Sequence, residues 1–481
     1  METTRRLRLL NDTLTSRTGV GLLLILVFVL SLPAVTTRLY AADEIEYFAF
    51  LRSLWFDQDL SFENEYQYFY DRGIAHAFGF HETFLELRTE TGLRYNFGTI
   101  GCAILWAPAY AVGDVAARTM QWFGSDVEVD GFSQPYLSAV AYASAVYAFL
   151  AIAISVAVAR RLVGGGVATG LVIWTGTPLL FYTYVAPGMA HACSAFAVAV
   201  FVMVWLRVRR SWSLQGIAAL GAVTALMAMV REQDLLLAVG PLTDFIWTTV
   251  TKVRASGDRI RAAQHWFTAA SVGSCVFAFV YIPQAMSYIV LNGRLSPADV
   301  VTRKMNWLAP HALQVLFSLE HGLFVWTPLL LVAVGGLLGM AWSVRAGSAD
   351  GVDTRRIGLL LCLMVVGQIY ITGSVDTWTS AGAFGQRRFV GLTVVWTLGL
   401  AALFGATRTA IRRRLLWGAC AFCMWWNLGL MVQYGAGMMD RQRLEVVRNT
   451  RGTFIEVPRR LPEIAYRYVF DRQSFYAPTT P

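Results

Sequence analysis

Charge is scarce in this sequence. Only 15% of its 481 residues are Asp, Glu, Lys or Arg, against about 25% in ordinary soluble domains. That scarcity argues against a solvated globular protein. No internal repeat emerges. A redox or zinc role for cysteine is also poorly supported. The six cysteines, Cys102, Cys193, Cys275, Cys362, Cys420 and Cys423, all lie in apolar stretches. The single C-x-x-C, "CAFC" at 420–423, sits inside a hydrophobic run with no histidine or second cysteine pair near it. Metal binding or disulfide exchange needs polar, accessible surroundings, so packing accounts for it better.

What fills the chain instead is apolar. Hydrophobic residues make up 56% of it, in recurrent runs of about 17 to 25 residues, each long enough to cross a bilayer core. In lipid the backbone must satisfy its own hydrogen bonds, so the fold is all-α and polytopic. The first run lacks a convincing small-residue cleavage site and others follow it. It therefore reads as a retained first span rather than a signal peptide. The formal charge of +9 is nearly all arginine. It reads as inner-face anchoring and not as a nucleic-acid interface.

The arginine clusters order the topology. They stand at Arg5/Arg6/Arg8, Arg160/Arg161, Arg207/Arg209/Arg210, Lys252/Arg254/Arg259/Arg261, Arg345/Arg355/Arg356 and Arg408/Arg412/Arg413/Arg414. Two apolar runs separate each later neighbouring pair, so all can share the cytoplasmic side. Between Arg8 and Arg160 there are three runs, and one of them should not cross. The weakest is 98–116, which carries Pro108 and Asp114 and reads as an outer-face interfacial or re-entrant segment. About eleven spans remain, near 19–37, 136–158, 166–183, 188–206, 213–230, 235–250, 265–290, 320–343, 357–373, 389–406 and 413–434. The expectation is one membrane domain over 1–434 with a long first outer loop at 38–135. A short extracytoplasmic tail at 435–481 completes it, with the N-terminus inside.

That first loop is where polar chemistry concentrates. Eleven of the thirty-one Asp and Glu residues fall within 38–97. The spans are nearly charge-free, with Asp244 the main exception. Asp43 opens a helix-like stretch in which Ile45, Phe48, Ala49, Trp55 and Phe56 suggest an apolar face lying on the membrane. Asp43 with Glu46 three residues on also reads as an N-cap and capping box, a purely structural use of two carboxylates.

The stretch "ADEIEYFAFLRSLW", directly after a first span, resembles the first outer loop of GT-C fold glycosyltransferases. That group includes the protein O-mannosyltransferases and the lipid A aminoarabinose transferases. "DQDLSFENEY" resembles bacterial members of the family 39 type. "LRYNFGTIGCAILWAPAYAVG" looks like the segment closing that loop. "YVAPGMAHA", "MVREQDLLL", "SLEHGLFVWTP" and "DTWTSAGAFGQRRFV" are similar to later outer-face segments. The likeness runs over roughly residues 20–395. The mannosyltransferases' large lumenal insert and a sizeable C-terminal soluble domain are both missing. The resemblance implies a GT-C-like bundle that transfers a sugar from a polyprenyl-phosphate donor to a lipid, glycan or protein hydroxyl. Its setting would be the outer face of a bacterial inner membrane.

Such a transfer needs a base, cations for the leaving phosphate and an apolar groove for the lipid. Asp43 is the expected base, with Glu44 orienting it or binding the sugar. Arg231, and after it Arg387 and Arg388, are expected at the phosphate, because they sit outside against the positive-inside trend and a guanidinium fork suits phosphate oxygens. Arg94, Tyr95, His191, Glu320, His321 and Trp378 complete the expected substrate-binding set. Some relatives in the fold use a divalent ion held by acidic ligands. No ligand spacing here is diagnostic, so no metal or other cofactor is assigned. The alternative is a transporter or flippase of lipid-linked sugars, which would place ionisable groups inside the bundle.

Overall fold

A computed structural model of the chain describes residues 17–74, 79–342, 353–380 and 382–475. The expected anchors Arg5, Arg6, Arg8 and Arg345 lie outside those residues. The chain is about 75% helical, and among the described residues only two isolated bridges stand in for β-structure.

In chain order the main helices are α1 (Arg17–Ser31), α2 (Ala42–Arg52), α3 (Glu63–Asp71), α4 (Gly101–Trp122), α5 (Gln134–Val163), α6 (Val167–Thr175), α7 (Leu179–Tyr184) and α8 (His191–Val208). They continue with α9 (Leu214–Val230), α10 (Val239–Ala255), α11 (Arg259–Val280), α12 (Ile282–Asn292), α13 (Leu329–Trp342), α14 (Thr354–Gly373), α15 (Thr393–Ala406), α16 (Ala410–Gly435) and α17 (Val457–Phe470).

Among the described residues five helices are long and apolar enough to cross a membrane: α5, α8, α14, α15 with its leading turn from Arg387, and α16. The pair α11 and α12 makes a sixth, bent by 50° between them. Pro283 stands in the first turn of α12, where it has no N–H to continue the α11 ladder. Other expected runs are shorter or broken. The run at 166–183 divides at Gly176–Pro178 into α6 and α7, and the run at 320–343 is interrupted before Pro328. Segment 98–116 lies largely in α4, a continuous helix of 22 residues that keeps Pro108 in its interior, packs along α5 and is not among the helices long and apolar enough to cross a membrane.

Small residues let the helices close up. A Cβ on Gly336 of α13 would stand 1.8 Å from the Gly399 carbonyl oxygen of α15, and one on Gly221 of α9 would stand 2.4 Å from the Gly273 carbonyl of α11. Backbones in direct contact are how helices associate where lipid removes the hydrophobic drive. Asp244 of α10, strongly buried within this packing, accepts from Arg209 at 2.7 Å and Trp205 at 3.0 Å and pairs with Arg356 at 2.6 Å.

The first loop is packed against the bundle. Ile45, Phe48 and Ala49 of α2 are fully buried, but so are Glu44 and Glu46 on other faces. Phe48 meets Phe69 edge-on at 5.8 Å and Tyr110 of α4 at 6.2 Å. The expected membrane-lying face of α2 is thus corrected: the rest of the loop and α4 cover it. Trp55 alone of that set is well exposed.

The tail is also docked. Tyr468 of α17 donates to the Ala34 carbonyl at 2.8 Å, and Arg472 donates to the Val35 and Pro33 carbonyls at 2.8 and 2.9 Å. These carbonyls lie at and just beyond the end of α1, where helix termini leave acceptors without partners.

Candidate functional site

The helix α2 is entered through Ala41, which is the N-cap. Glu44, not Glu46, closes the turn: its Oε2 accepts the Tyr40 and Ala41 N–H groups at 2.9 and 3.1 Å. The expected Asp43–Glu46 box is therefore corrected. The helix begins before Asp43, so Asp43 already lies in its first turn and its carboxylate is released from capping. Three residues later Glu46 falls on the same face. Its Oε1 accepts the Phe97 N–H at 2.7 Å, which ties α2 to the segment before α4.

Asp43 turns to the bundle and accepts from Arg387 at 2.6 Å. Arg387 opens the tight turn Arg387–Leu392 that leads into α15, and this turn packs against α8. At the start of α8, His191 Nδ1 lies 3.1 Å from an Arg231 guanidinium nitrogen. Arg231 ends α9 with an extended backbone, which throws its side chain inward where it is buried. Arg388 lies in the field of both Arg387 and Arg231, and its own donors reach Thr377 Oγ1 at 3.0 Å. Three arginines from two distant segments thus gather in one region; Arg387 alone binds Asp43, and Arg231 also lies in the field of the buried Asp234.

The remaining acids add little negative charge. Burial, with the charge of Asp43 adding, pushes the Glu46 carboxyl up to about 8. Burial likewise raises Glu44 to about 7, against the backbone donors that lower it. At neutral pH Glu46 is then mostly protonated. The cluster holds a surplus of buried positive charge, a setting that favours an incoming anion.

Aromatics line the approach. Tyr182 packs on His191 with ring centroids 4.3 Å apart and stands near Arg387 and Asp43. Beyond it Tyr40 and Tyr434 border an apolar groove of about 490 Å³, walled by Phe181, Met431 and Ile464 and edged by Arg441. The docked α17 supplies one wall.

The other expected residues divide. His321 is fully buried with a positive φ of 62°, stacks on Trp326 at 4.5 Å and lies within the field of Arg387. Tyr95 stacks on Phe97 at 5.7 Å, beside the Glu46 tie. Arg94 is held within the loop, donating to Glu63 at 2.7 Å and the Glu86 carbonyl at 3.0 Å. Its partner Glu63 is lowered by that contact. Trp378 packs beside His311 at 5.6 Å. Glu320 is half-buried and its N–H donates to Ser318.

Sequence reasoning assigned Glu46 to capping and missed Tyr182, Tyr40 and Lys304, which stands near Glu46. The i, i+3 spacing of Asp43 and Glu46 equally signals two carboxylates on one helix face. Among the described residues no three His, Cys, Asp or Glu side chains group as a metal site. No family model matches the chain, and no curated protein matches it.

Proposed function

We propose that this protein is a GT-C-type membrane glycosyltransferase of the family 39-like kind. It would move a sugar from a polyprenyl-phosphate donor to an acceptor hydroxyl. The observation that carries this is the Asp43–Arg387 pair set among Arg231 and Arg388. One guanidinium spans the two halves of the chemistry: it holds the carboxylate on one side and faces the phosphate position on the other.

In the reaction the acceptor oxygen attacks the anomeric carbon and the bond from that carbon to the phosphate oxygen breaks. The hydroxyl proton passes to Asp43, and the configuration inverts. The electron pair stays on the leaving polyprenyl phosphate, whose growing charge is met by Arg231, Arg387 and Arg388. Prearranged cations need no reorganisation as that charge develops. The apolar groove beside Tyr40 and Tyr434 suits the isoprenoid chain. On this reading the bundle crosses a bacterial inner membrane about eleven times, counting its short and broken helices, with the site outside. The acceptor would be a lipid, glycan or protein.

The test is turnover of a panel of radiolabelled polyprenyl-phosphate sugars by purified protein, with a crude envelope extract as acceptor, beside Asp43→Asn and Arg231→Ala. Transfer by the wild type that disappears in Asp43→Asn supports the enzyme. Donor binding that survives both changes, with no turnover, supports a transporter or flippase.

A further inference from the structure

We propose a second anion site at the opposite end of the bundle from Asp43, which takes the headgroup of an anionic phospholipid. It stands independently of the glycosyltransferase reading. The connection through α6 and α7 brings the chain back so that α5 and α8 run parallel and end side by side. From His191 to Val208, α8 spans about 27 Å, which separates this end from the arginine cluster around Asp43.

Between those ends lies a cavity of about 480 Å³. Arg161, Arg207, Arg209 and Arg210 line it over a floor that includes Val158 and Leu206. Arg209 is committed to Asp244, and Asp244 is also taken by Arg356. Among the described residues no carboxylate pairs with Arg161, Arg207 or Arg210. Membrane anchoring requires only basic residues in a solvated loop. It does not require a cavity lined by four arginines beside apolar side chains, three of them without a carboxylate partner among the described residues.

Two features identify the occupant. The unpaired guanidinium groups match phosphate oxygens in charge and geometry. The apolar floor is of use only to a ligand whose phosphate is attached to hydrocarbon. A phospholipid at the edge of the bundle offers both, in the manner of basic pockets between membrane helices that hold acidic lipid headgroups.

Native mass spectrometry of the detergent-purified full chain, titrated with phosphatidylglycerol and with phosphatidylethanolamine, tests this. The wild type should hold phosphatidylglycerol at least tenfold more tightly. The variant Arg161→Ala/Arg207→Ala/Arg210→Ala should lose that preference, with roughly a hundredfold fall in affinity if each arginine acts as a single near-surface charge. A preference unchanged in the triple variant, or absent from the wild type, overturns the proposal. Displacement of phosphatidylglycerol by millimolar inorganic phosphate also overturns it, since that marks a free-anion site. If the triple variant fails to fold, the single change Arg207→Glu, on an exposed side chain, is read instead. Unaltered phosphatidylglycerol binding there counts against the site.

Discussion

Asp43 and Arg387, 344 residues apart in the chain, meet at 2.6 Å, and the arginine is the more deeply held partner, its side chain 19% exposed against 41% for the acid. The buried cation fixes the position, and the carboxylate keeps an open side on which an acceptor hydroxyl can arrive. Asp43→Asn preserves shape and removes the basic oxygen. Transfer should fall by roughly 10² to 10⁴, the usual worth of a positioned base, with donor affinity little changed. A single-turnover assay beside a donor-binding titration checks both. Near-normal turnover in Asp43→Asn would remove Asp43 from the chemistry.

Arg231 is placed to act on binding. Arg231→Ala should weaken the affinity for a polyprenyl phosphate by roughly 10- to 100-fold, as expected for a lost charge-assisted hydrogen bond. Arg231→Lys should recover only part of this, since it restores the charge without the fork. Tritiated lipid binding to the purified variants measures it. Equal affinity across all three proteins would make the Arg231–His191 contact purely structural.

Glu46 predicts a pH dependence of stability. Its carboxyl is raised from an ordinary 4.5 to about 8 by burial and by Asp43, so the folded protein holds the proton more tightly than the unfolded chain does. The resulting stability is fully present below about pH 4.5 and is lost as pH rises through about 8. Glu46→Gln keeps the acceptor for the Phe97 N–H and removes the titration. Melting temperatures in detergent from pH 5 to 9 should fall for the wild type and fall less steeply for Glu46→Gln. Glu44 and Glu65, each raised to about 7 chiefly by burial, contribute to the slope that remains, as do Glu232 and Asp234, which burial also raises. Parallel curves for the two proteins would contradict the assignment.

The tail should matter to the groove. Removing the Tyr468 hydroxyl and the Arg472 guanidinium together, as Tyr468→Phe/Arg472→Ala, unpins α17 from the end of α1. Residues beyond Tyr434 should then be cut faster by protease, and lipid affinity should drop along with the lost groove wall. If cleavage accelerates while lipid affinity holds, the groove does not carry the isoprenoid.

Topology is open to a direct measurement. In a background with the exposed Cys275 replaced, cysteines introduced at positions 43 and 118 should react with an impermeant reagent from outside, and one at 160 only from inside. Labelling of position 43 from the cytoplasm would end the proposed mechanism.

Much of the architecture was legible in the sequence, because length and apolarity alone decide whether a helix suits a bilayer. α5, α8, α14 and α16 appear close to their expected limits. Breaks were harder to see. Pro283 and Pro328 are plain in the sequence, but whether a proline kinks, splits or merely starts a helix depends on what the neighbouring helices support. Pro108 stands unbroken inside α4, while Pro283 accompanies a 50° bend.

The site was legible as a set of residue types and not as a set of contacts. The sequence by itself determined that acids gather after the first apolar run, that Arg231, Arg387 and Arg388 stand apart from the other arginine clusters, and that little charge enters the apolar runs. These are matters of composition along the chain. Only the tertiary structure decided which acid caps and which is free. Glu44 closes the first turn of α2 because the chain enters at Ala41, and that single offset leaves Asp43 to meet Arg387 and Glu46 to hold Phe97. It also decided that Arg94 serves the loop through Glu63. Local spacing names the residues on a helix face, but the partner of a buried charge is fixed by desolvation across the whole fold, which no segment contains alone.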